Sequence, residues 1–278
     1  MTAAEHPDIA GALAWARQHI PPLEARLLLR HVLGCTAAHL AAWPEETLPA
    51  TTWDAFRRLV ERRAAGEPVA YLTGRREFYG RDFLVTSAVL IPRPETELLV
   101  ELALPRLAAE ARPCVLDLGT GSGALAITLA LARDCTEVTA LDDSREALEV
   151  ARSNAARLGA DVFFLHSDWY AALGEARFHL IVANPPYIPE GDPHLAQGDL
   201  RFEPRAALVA GDGGLGSLAR IVAGAGRHLE QGGWLLMEHG YDQSAAVRGL
   251  LAEAGFGDIA SWPDLAGIPR VSGGRWQG

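Results

Sequence analysis

The sequence predicts an α/β protein in which a mostly parallel sheet, flanked by helices, follows a small helical domain. Three observations carry that prediction. Up to about Ala65 the apolar residues recur at helical spacing, as in Leu27-Leu28-Leu29 with Val32 and Leu33. After Pro113 short apolar strands alternate regularly with helical stretches, the pattern of parallel strands joined by helical crossovers. A glycine-rich turn, Gly119-Thr120-Gly121-Ser122-Gly123, joins the first of those strands to the next helix.

Taken in order, Ile9 to Ala65 reads as about four short helices interrupted at Pro21-Pro22, Gly34, Pro44 and Pro49. The stretch from Thr51 to Arg81 is locally basic, with Arg57, Arg58, Arg62, Arg63, Arg75, Arg76 and Arg81 outnumbering its acids. A solvated helix face and a partner-binding patch both account for it. From Glu77 to Ile91 a two-residue alternation around Gly80-Arg81-Asp82 predicts a hairpin. Pro92-Arg93-Pro94 ends it, and Glu95-Thr96-Glu97 opens a helix through Leu107 with acids in its first turn. The strands expected beyond are 114–118, 138–141, 162–165, 180–183, 234–238, roughly 258–262, and 270–276. The domains so drawn are 1–73, a helical bundle; 74–91, a hairpin linker; and 92–278, the sheet domain. The longest irregular stretch runs from Pro189 to Gly214, and loops of that length tend to be functional.

Composition narrows the function classes. All 25 basic residues are Arg. Without Lys there is no Walker-A lysine, no pyridoxal Schiff base and no catalytic amine. The net charge of −10 argues against a long duplex footprint, because phosphate binding relies on a basic face. No uncharged apolar run is long enough for a membrane span, and Glu5, Asp8 and Arg17 interrupt any signal-peptide core, so a cytoplasmic protein is expected. Cys35, Cys114 and Cys135 are odd in number and widely spaced, which fits buried fillers and no metal site.

The most informative string is Asn184-Pro185-Pro186-Tyr187, directly after the apolar run Leu180–Ala183. Two prolines end a strand, because each fixes φ and lacks an N–H. Asn184 is then left at a strand end, and ligands of open α/β sheets bind beyond the carboxyl ends of the strands. The Asn side-chain oxygen and the carbonyl between the prolines are two acceptors that could grip a planar –NH2 group, with Tyr187 over its face. An Asn-Pro turn that merely closes a strand is the plain alternative.

The loop from Asp117 to Gly123 fits a nucleotide-like cofactor, and with Ala124 it even satisfies a dinucleotide pattern. Asp117 just before the turn would repel a pyrophosphate but not a cationic sulfonium cofactor. Asp142, at the end of the second strand, stands where a carboxylate binds ribose hydroxyls in either class. Asp143 and Ser144 suit the cap of the following helix. Asp168-Trp169 follows the third strand, where the ring could cover an adenine and the acid reach its amino group; core lining accounts for Trp169 equally well.

These strings, with Ile91–Glu97, Ser167-Asp168-Trp169, Asp192–Leu195, Arg201–Pro204 and Glu238-His239-Gly240, resemble the PrmC (HemK) family of release-factor glutamine methyltransferases over nearly the whole chain. The segment Asp264–Arg270 follows the family pattern only roughly and departs from it at Pro269. The resemblance implies a class I S-adenosylmethionine (SAM)-dependent methyltransferase fold, a Rossmann-like seven-stranded sheet whose last strand is antiparallel, with an N-terminal helical domain for substrate recognition. It implies methyl transfer to the glutamine of the Gly-Gly-Gln motif in class I peptide chain release factors. From charge and hydropathy no stable nucleic-acid or membrane partner is expected, and a monomer is expected. Carried over by position, Gly119, Thr120, Gly121, Ser122, Gly123, Asp142, Trp169 and Asn184 would hold the cofactor, and Asp117 and Asp168 join that set on the chemical grounds given above. Asn184, Pro185, Pro186 and Tyr187 would hold the glutamine amide, and no metal is implied. Glu203, His194 and His239 are neighbours that could accept a proton, though hydrogen-bond networks are the usual role of such groups. An adenine-N6 methyltransferase would suit the same strand-end motif; an NAD-dependent oxidoreductase and a non-catalytic adaptor are the further alternatives.

Overall fold

The structure is a computed structural model that describes residues 6–108, 110–133 and 136–278; Cys135 lies outside the described residues. The chain divides into two compact units, one of residues up to Arg75 together with 197–202, the other of 76–196 and 203–278.

The first unit contains α1 (Ile9–Ala16), α2 (Pro22–Leu33), α3 (Ala37–Ala42), α4 (Ala50–Ala64) and α5 (Val69–Thr73). Local sequence sets their ends. Asp8 caps α1 by accepting the Gly11 N–H at 2.7 Å, Pro22 opens α2, and Gly34 closes it with φ 64°. The fifth helix, one more than the apolar spacing predicts, starts after Pro68 and stops at Gly74. Leu28, Leu29, Phe56 and Val60 are wholly buried, and Trp15 meets Trp53 edge-on at 5.0 Å. Two of the arginines that make this stretch basic are committed to internal ion pairs. Arg62 clasps Glu67, and Arg63 donates to Glu24 at 2.6 Å and to Asp199 at 3.1 Å.

The second unit begins inside a hairpin of β1 (Arg75–Phe78) and β2 (Arg81–Leu84) that turns at Tyr79-Gly80. The predicted alternation through Ile91 overstates that hairpin. Val85, Val89 and Ile91 are buried, but they lie on irregular chain beyond the end of β2. After α6 (Glu97–Leu107) come β3 (Cys114–Leu118), α7 (Ala124–Ala132), β4 (Glu137–Asp142), α8 (Arg145–Leu158), β5 (Phe163–His166) and β6 (Phe178–Ala183). The two-residue strands β7 (Ile188–Pro189) and β8 (Val209–Ala210) pair in parallel. They are followed by α9 (Gly216–His228), β9 (Leu229–Glu238), α10 (Ser244–Glu253), β10 (Phe256–Pro263) and β11 (Pro269–Trp276).

The seven-stranded sheet has the order β10-β11-β9-β6-β3-β4-β5, and β11 inserts antiparallel between β9 and β10. The last strand is thus the reversed one, as expected. Leu99, Val100, Ala126 and Ile127 of α6 and α7 fill one face; Leu218, Ile221, Val247 and Leu251 of α9 and α10 fill the other. Covered on both sides, strands such as Leu180–Ala183 are apolar at consecutive positions, which is why they are legible as runs. Cys35 and Cys114 are half-buried and free. Among the described residues no helix is long and apolar enough to cross a membrane, and no group of acids, His and Cys could hold a metal ion.

Candidate functional site

A cavity of about 490 Å3 opens at the carboxyl ends of the central strands of the second unit. Strand order explains its place. From β3 the chain goes first to β4 on one side and later to β6 on the other, and that switch point leaves a crevice above the strand ends.

On the β4 side the glycine turn lies against Asp142. Gly119 and Thr120 donate their N–H groups to the Leu141 carbonyl at 2.9 and 2.8 Å, and Gly121 donates to Asp142 Oδ2 at 2.8 Å. Gly119 and Gly121 have φ 73° and 55°, left-handed values that favour glycine. A Cβ at Gly121 would meet nothing within 4 Å, so the backbone stands open to the cavity. Gly123 differs. It does not line the cavity, and a Cβ there would lie 2.8 Å from Ile127 and 3.1 Å from Ala151, so its smallness lets α7 begin against α8. Ser144 caps α8 by accepting the Ala147 N–H at 3.1 Å, and its own N–H binds Asp142 Oδ1 at 2.9 Å. Each Asp142 oxygen therefore holds one backbone donor and keeps lone pairs for another partner.

Asp117 is 1% exposed, and Thr120 Oγ1 donates to it at 2.7 Å. Burial pushes its carboxyl up to about 7, with the nearby Asp142 charge adding to the rise. Burial also raises Asp142. Trp169 lines the cavity with φ 48°, an uncommon value for a side chain of its size, and Ser167 Oγ fixes the turn by donating to the Trp169 carbonyl at 2.7 Å. Asp168, expected to reach toward a ligand, lines the cavity together with Arg220, with which its carboxylate pairs at 2.8 Å; both side chains are exposed by more than half.

On the β6 side, Asn184 and Pro186 line the cavity, while Pro185, which is buried, and Tyr187 are not among its lining residues. Asn184 Nδ2 donates to Thr96 Oγ1 at 3.0 Å, Thr96 Oγ1 donates to Glu238 Oε2 at 2.6 Å, and the Tyr187 hydroxyl donates to Glu238 Oε1 at 3.3 Å. No hydrogen bond among the described residues reaches Asn184 Oδ1 or the Pro185 carbonyl. Burial raises the Tyr187 hydroxyl, and Glu238 beside it adds to the rise. The chain after Tyr187 is pinned by Gln243, whose Nε2 donates to the Tyr187 carbonyl at 3.0 Å while its Oε1 accepts the Gly240 N–H at 2.9 Å.

The three neighbouring groups considered as proton acceptors are engaged elsewhere, and none lines the cavity. Glu203 accepts the Ile91 N–H at 3.1 Å and pairs with Arg93. His239 bridges the Gly240 carbonyl and Ser272 Oγ, each at 2.8 Å, and His194 binds Asp192 at 2.7 Å.

Thr96, Glu238 and Gln243 escaped the sequence reading as site residues. Thr96 reads as a helix start. Glu238, however, ends an apolar strand as Asp142 does, and an acid at a strand end on the same edge was a legible signal.

Residues 9–74 match the family model described as the PrmC N-terminal domain, and residues 95–200 match the methyltransferase small domain. The release factor glutamine methyltransferase of Burkholderia pseudomallei is 55% identical over 263 residues, 92% of each chain. That of Xylella fastidiosa strain Temecula1 is 50% identical over 273 residues, 98% of this chain and 99% of the other. Among solved structures, the T. Thermophilus 16S rRNA N2 G1207 methyltransferase in complex with AdoMet and guanosine superposes with a TM-score of 0.54 at 25% identity, over 73% of this chain and 50% of that one.

Proposed function

The chain belongs to the release factor glutamine methyltransferases, and from that premise we propose that it methylates the side-chain amide nitrogen of the glutamine in the Gly-Gly-Gln motif of class I peptide chain release factors, using S-adenosylmethionine. The observation that carries this reading is Asn184, whose oxygen stands open on the cavity wall beside the Gly119–Ser122 turn and Asp142.

The residues fit the cofactor. The cavity volume lies within the roughly 300–1,000 Å3 usual for ligand clefts. Its wall combines open glycine backbone, the Asp142 carboxylate suited to ribose hydroxyls, and the Trp169 ring suited to a purine face. Asp117 adds an acid that suits a cationic aminoalkyl sulfonium. Bound there, S-adenosylmethionine supplies a methyl group activated by a positively charged sulfur.

The chain's own part is to make a poor nucleophile attack. An amide nitrogen shares its lone pair with the carbonyl, so it needs alignment and charge stabilisation. Asn184 Oδ1 and the Pro185 carbonyl accept its two N–H groups and aim the nitrogen into the cavity. Positive charge grows on that nitrogen during attack, so both hydrogen bonds strengthen in the transition state. Pro186 lines the cavity beside the amide, and Tyr187, expected to cover the amide's face, instead anchors the turn, with Glu238 and Gln243 holding its hydroxyl and backbone in place. No base is required, because the methylated nitrogen is acidic enough to lose its proton to water. The engagement of Glu203, His194 and His239 elsewhere agrees with that. The helical first unit is, in this reading, the part that recognises the release factor.

The test is transfer of labelled methyl from S-adenosylmethionine to a release factor. Transfer is expected with the Gly-Gly-Gln intact and lost when its Gln is replaced. Transfer to DNA with the release factor inert would overturn the reading in favour of an adenine methyltransferase.

A further inference from the structure

A side-chain amide can present either of its ends to a cavity, and only the oxygen end accepts an –NH2 group. At Asn184 the choice is made by a chain of groups that runs away from the cavity. Asn184 Nδ2 donates to Thr96 Oγ1 at 3.0 Å and Thr96 Oγ1 donates to Glu238 Oε2 at 2.6 Å, with Thr96 7% and Glu238 2% exposed.

The direction of the chain follows from proton counting. A carboxylate only accepts, and a threonine hydroxyl has a single proton. While Glu238 is ionised, that proton is committed to it, and Thr96 can offer Asn184 only a lone pair. Asn184 must then turn its N–H inward and its oxygen outward. Protonated, Glu238 can donate to Thr96 instead, which frees the hydroxyl proton for the Asn184 oxygen and swings the Asn184 amino end toward the cavity. There it would oppose a substrate N–H, donor against donor.

We propose that Glu238, acting through Thr96, is the positioning residue that keeps the Asn184 oxygen toward the acceptor substrate and so selects an –NH2 group for methylation. This rests on the methyl-transfer reading above. The groups facing Glu238 are Thr96 and Glu95 from the turn before α6, Tyr187 from the strand end and Arg270 from β11; Arg93 lies near Tyr187 and His239 follows in the chain. Burial, with Glu95, raises the Glu238 carboxyl to about 7; Thr96, Tyr187 and Arg270 pull it back. The orientation therefore switches in the neutral range, and turnover falls on the acid side.

The experiment measures kcat and KM for methyl transfer to a release factor from pH 5.5 to 9, together with S-adenosylmethionine affinity and melting temperature. It compares the wild-type chain with Thr96→Val, Thr96→Ser and Glu238→Gln. Thr96→Val is expected to lower kcat at least about tenfold with cofactor affinity changed less than about twofold, and Thr96→Ser to restore kcat to within about threefold. Glu238→Gln, a neutral isostere, is expected to remove the acid limb of the kcat profile. The inference is overturned by a wild-type kcat in Thr96→Val, by Thr96→Ser being as slow as Thr96→Val, or by an acid limb that persists in Glu238→Gln. Should Thr96→Val not fold, the serine variant and the Glu238→Gln profile decide it. An inactive wild-type chain overturns the methyl-transfer reading itself; an active one with insensitive variants overturns only this inference.

Discussion

Asn184 and Asp142 stand on opposite sides of β3 and answer to opposite measurements. In the proposed reading, Asn184→Ala withdraws an acceptor that acts mainly in the transition state. The kcat should fall about 10²–10³-fold, in the range of a lost oxyanion-hole donor, while cofactor affinity by calorimetry should change little. Equal losses in both would make Asn184 a builder of the cofactor pocket instead. Asp142→Asn leaves the side chain in place but removes a charge that holds the Gly121 and Ser144 N–H groups. Cofactor affinity should then drop about tenfold or more, the worth of one hydrogen bond to a charged group, with kcat at saturation far less affected. Both residues were legible from sequence, because a polar side chain at the end of an apolar run has few other reasons to be there. Thr96 was not, since its role depends on Glu238, which lies far along the chain and meets it only in the fold.

Strands of the buried sheet were legible as apolar runs, and β6 had to end at Asn184 because two prolines follow. The hairpin was overread because a two-residue burial period also arises on irregular extended chain that packs without a ladder partner, as at Val85–Ile91. The fixing of the turn after β6 was invisible, because Gln243 reaches Tyr187 from the turn that precedes α10. Gly214 is part of that fixing. Its φ is 91°, and a Cβ there would lie 2.4 Å from the Tyr187 carbonyl oxygen and 2.7 Å from Gln243 Nε2. Gly214→Ala should therefore cost about 1–3 kcal/mol in urea unfolding and lower kcat as well, by shifting the strand-end turn. A stable variant with full turnover would mean that the Tyr187 backbone need not be held. In the helical unit, charge alone marked Arg63 as a surface group, yet it is largely covered and bridges Glu24 and Asp199. Arg63→Glu should destabilise that unit by about 1–3 kcal/mol, between the scales for exposed and for fully buried pairs, visible as a lower first transition on heating.

For the molecule as a whole, the buried acids set how stability depends on pH. Burial raises Asp117 to about 7, above its unfolded value of roughly 3.9. Such a group contributes stability that is fully present below the unfolded value and lost as pH rises through about 7. Glu238 acts in the same direction. Backbone hydrogen bonds lower Asp192 and Asp264, so their contribution fails only in stronger acid, while His239, lowered by burial, loses its contribution as pH falls below about 6.5. The ligand-free protein should melt at a lower temperature at pH 8 than at pH 5.5. Comparison with Asp117→Asn isolates one acid, and the variant's melting temperature should vary less over that interval. The strand order has a further consequence. In the proposed reading β3 with its glycine turn, β4 and β5 carry the groups that hold the methyl donor, and β6 and β9 carry those that hold the acceptor. Donor and acceptor recognition are thus inherited on separate halves of one sheet. A lineage can exchange what it modifies by altering the β6–β9 half, and keep unchanged the half that binds the reagent it modifies with.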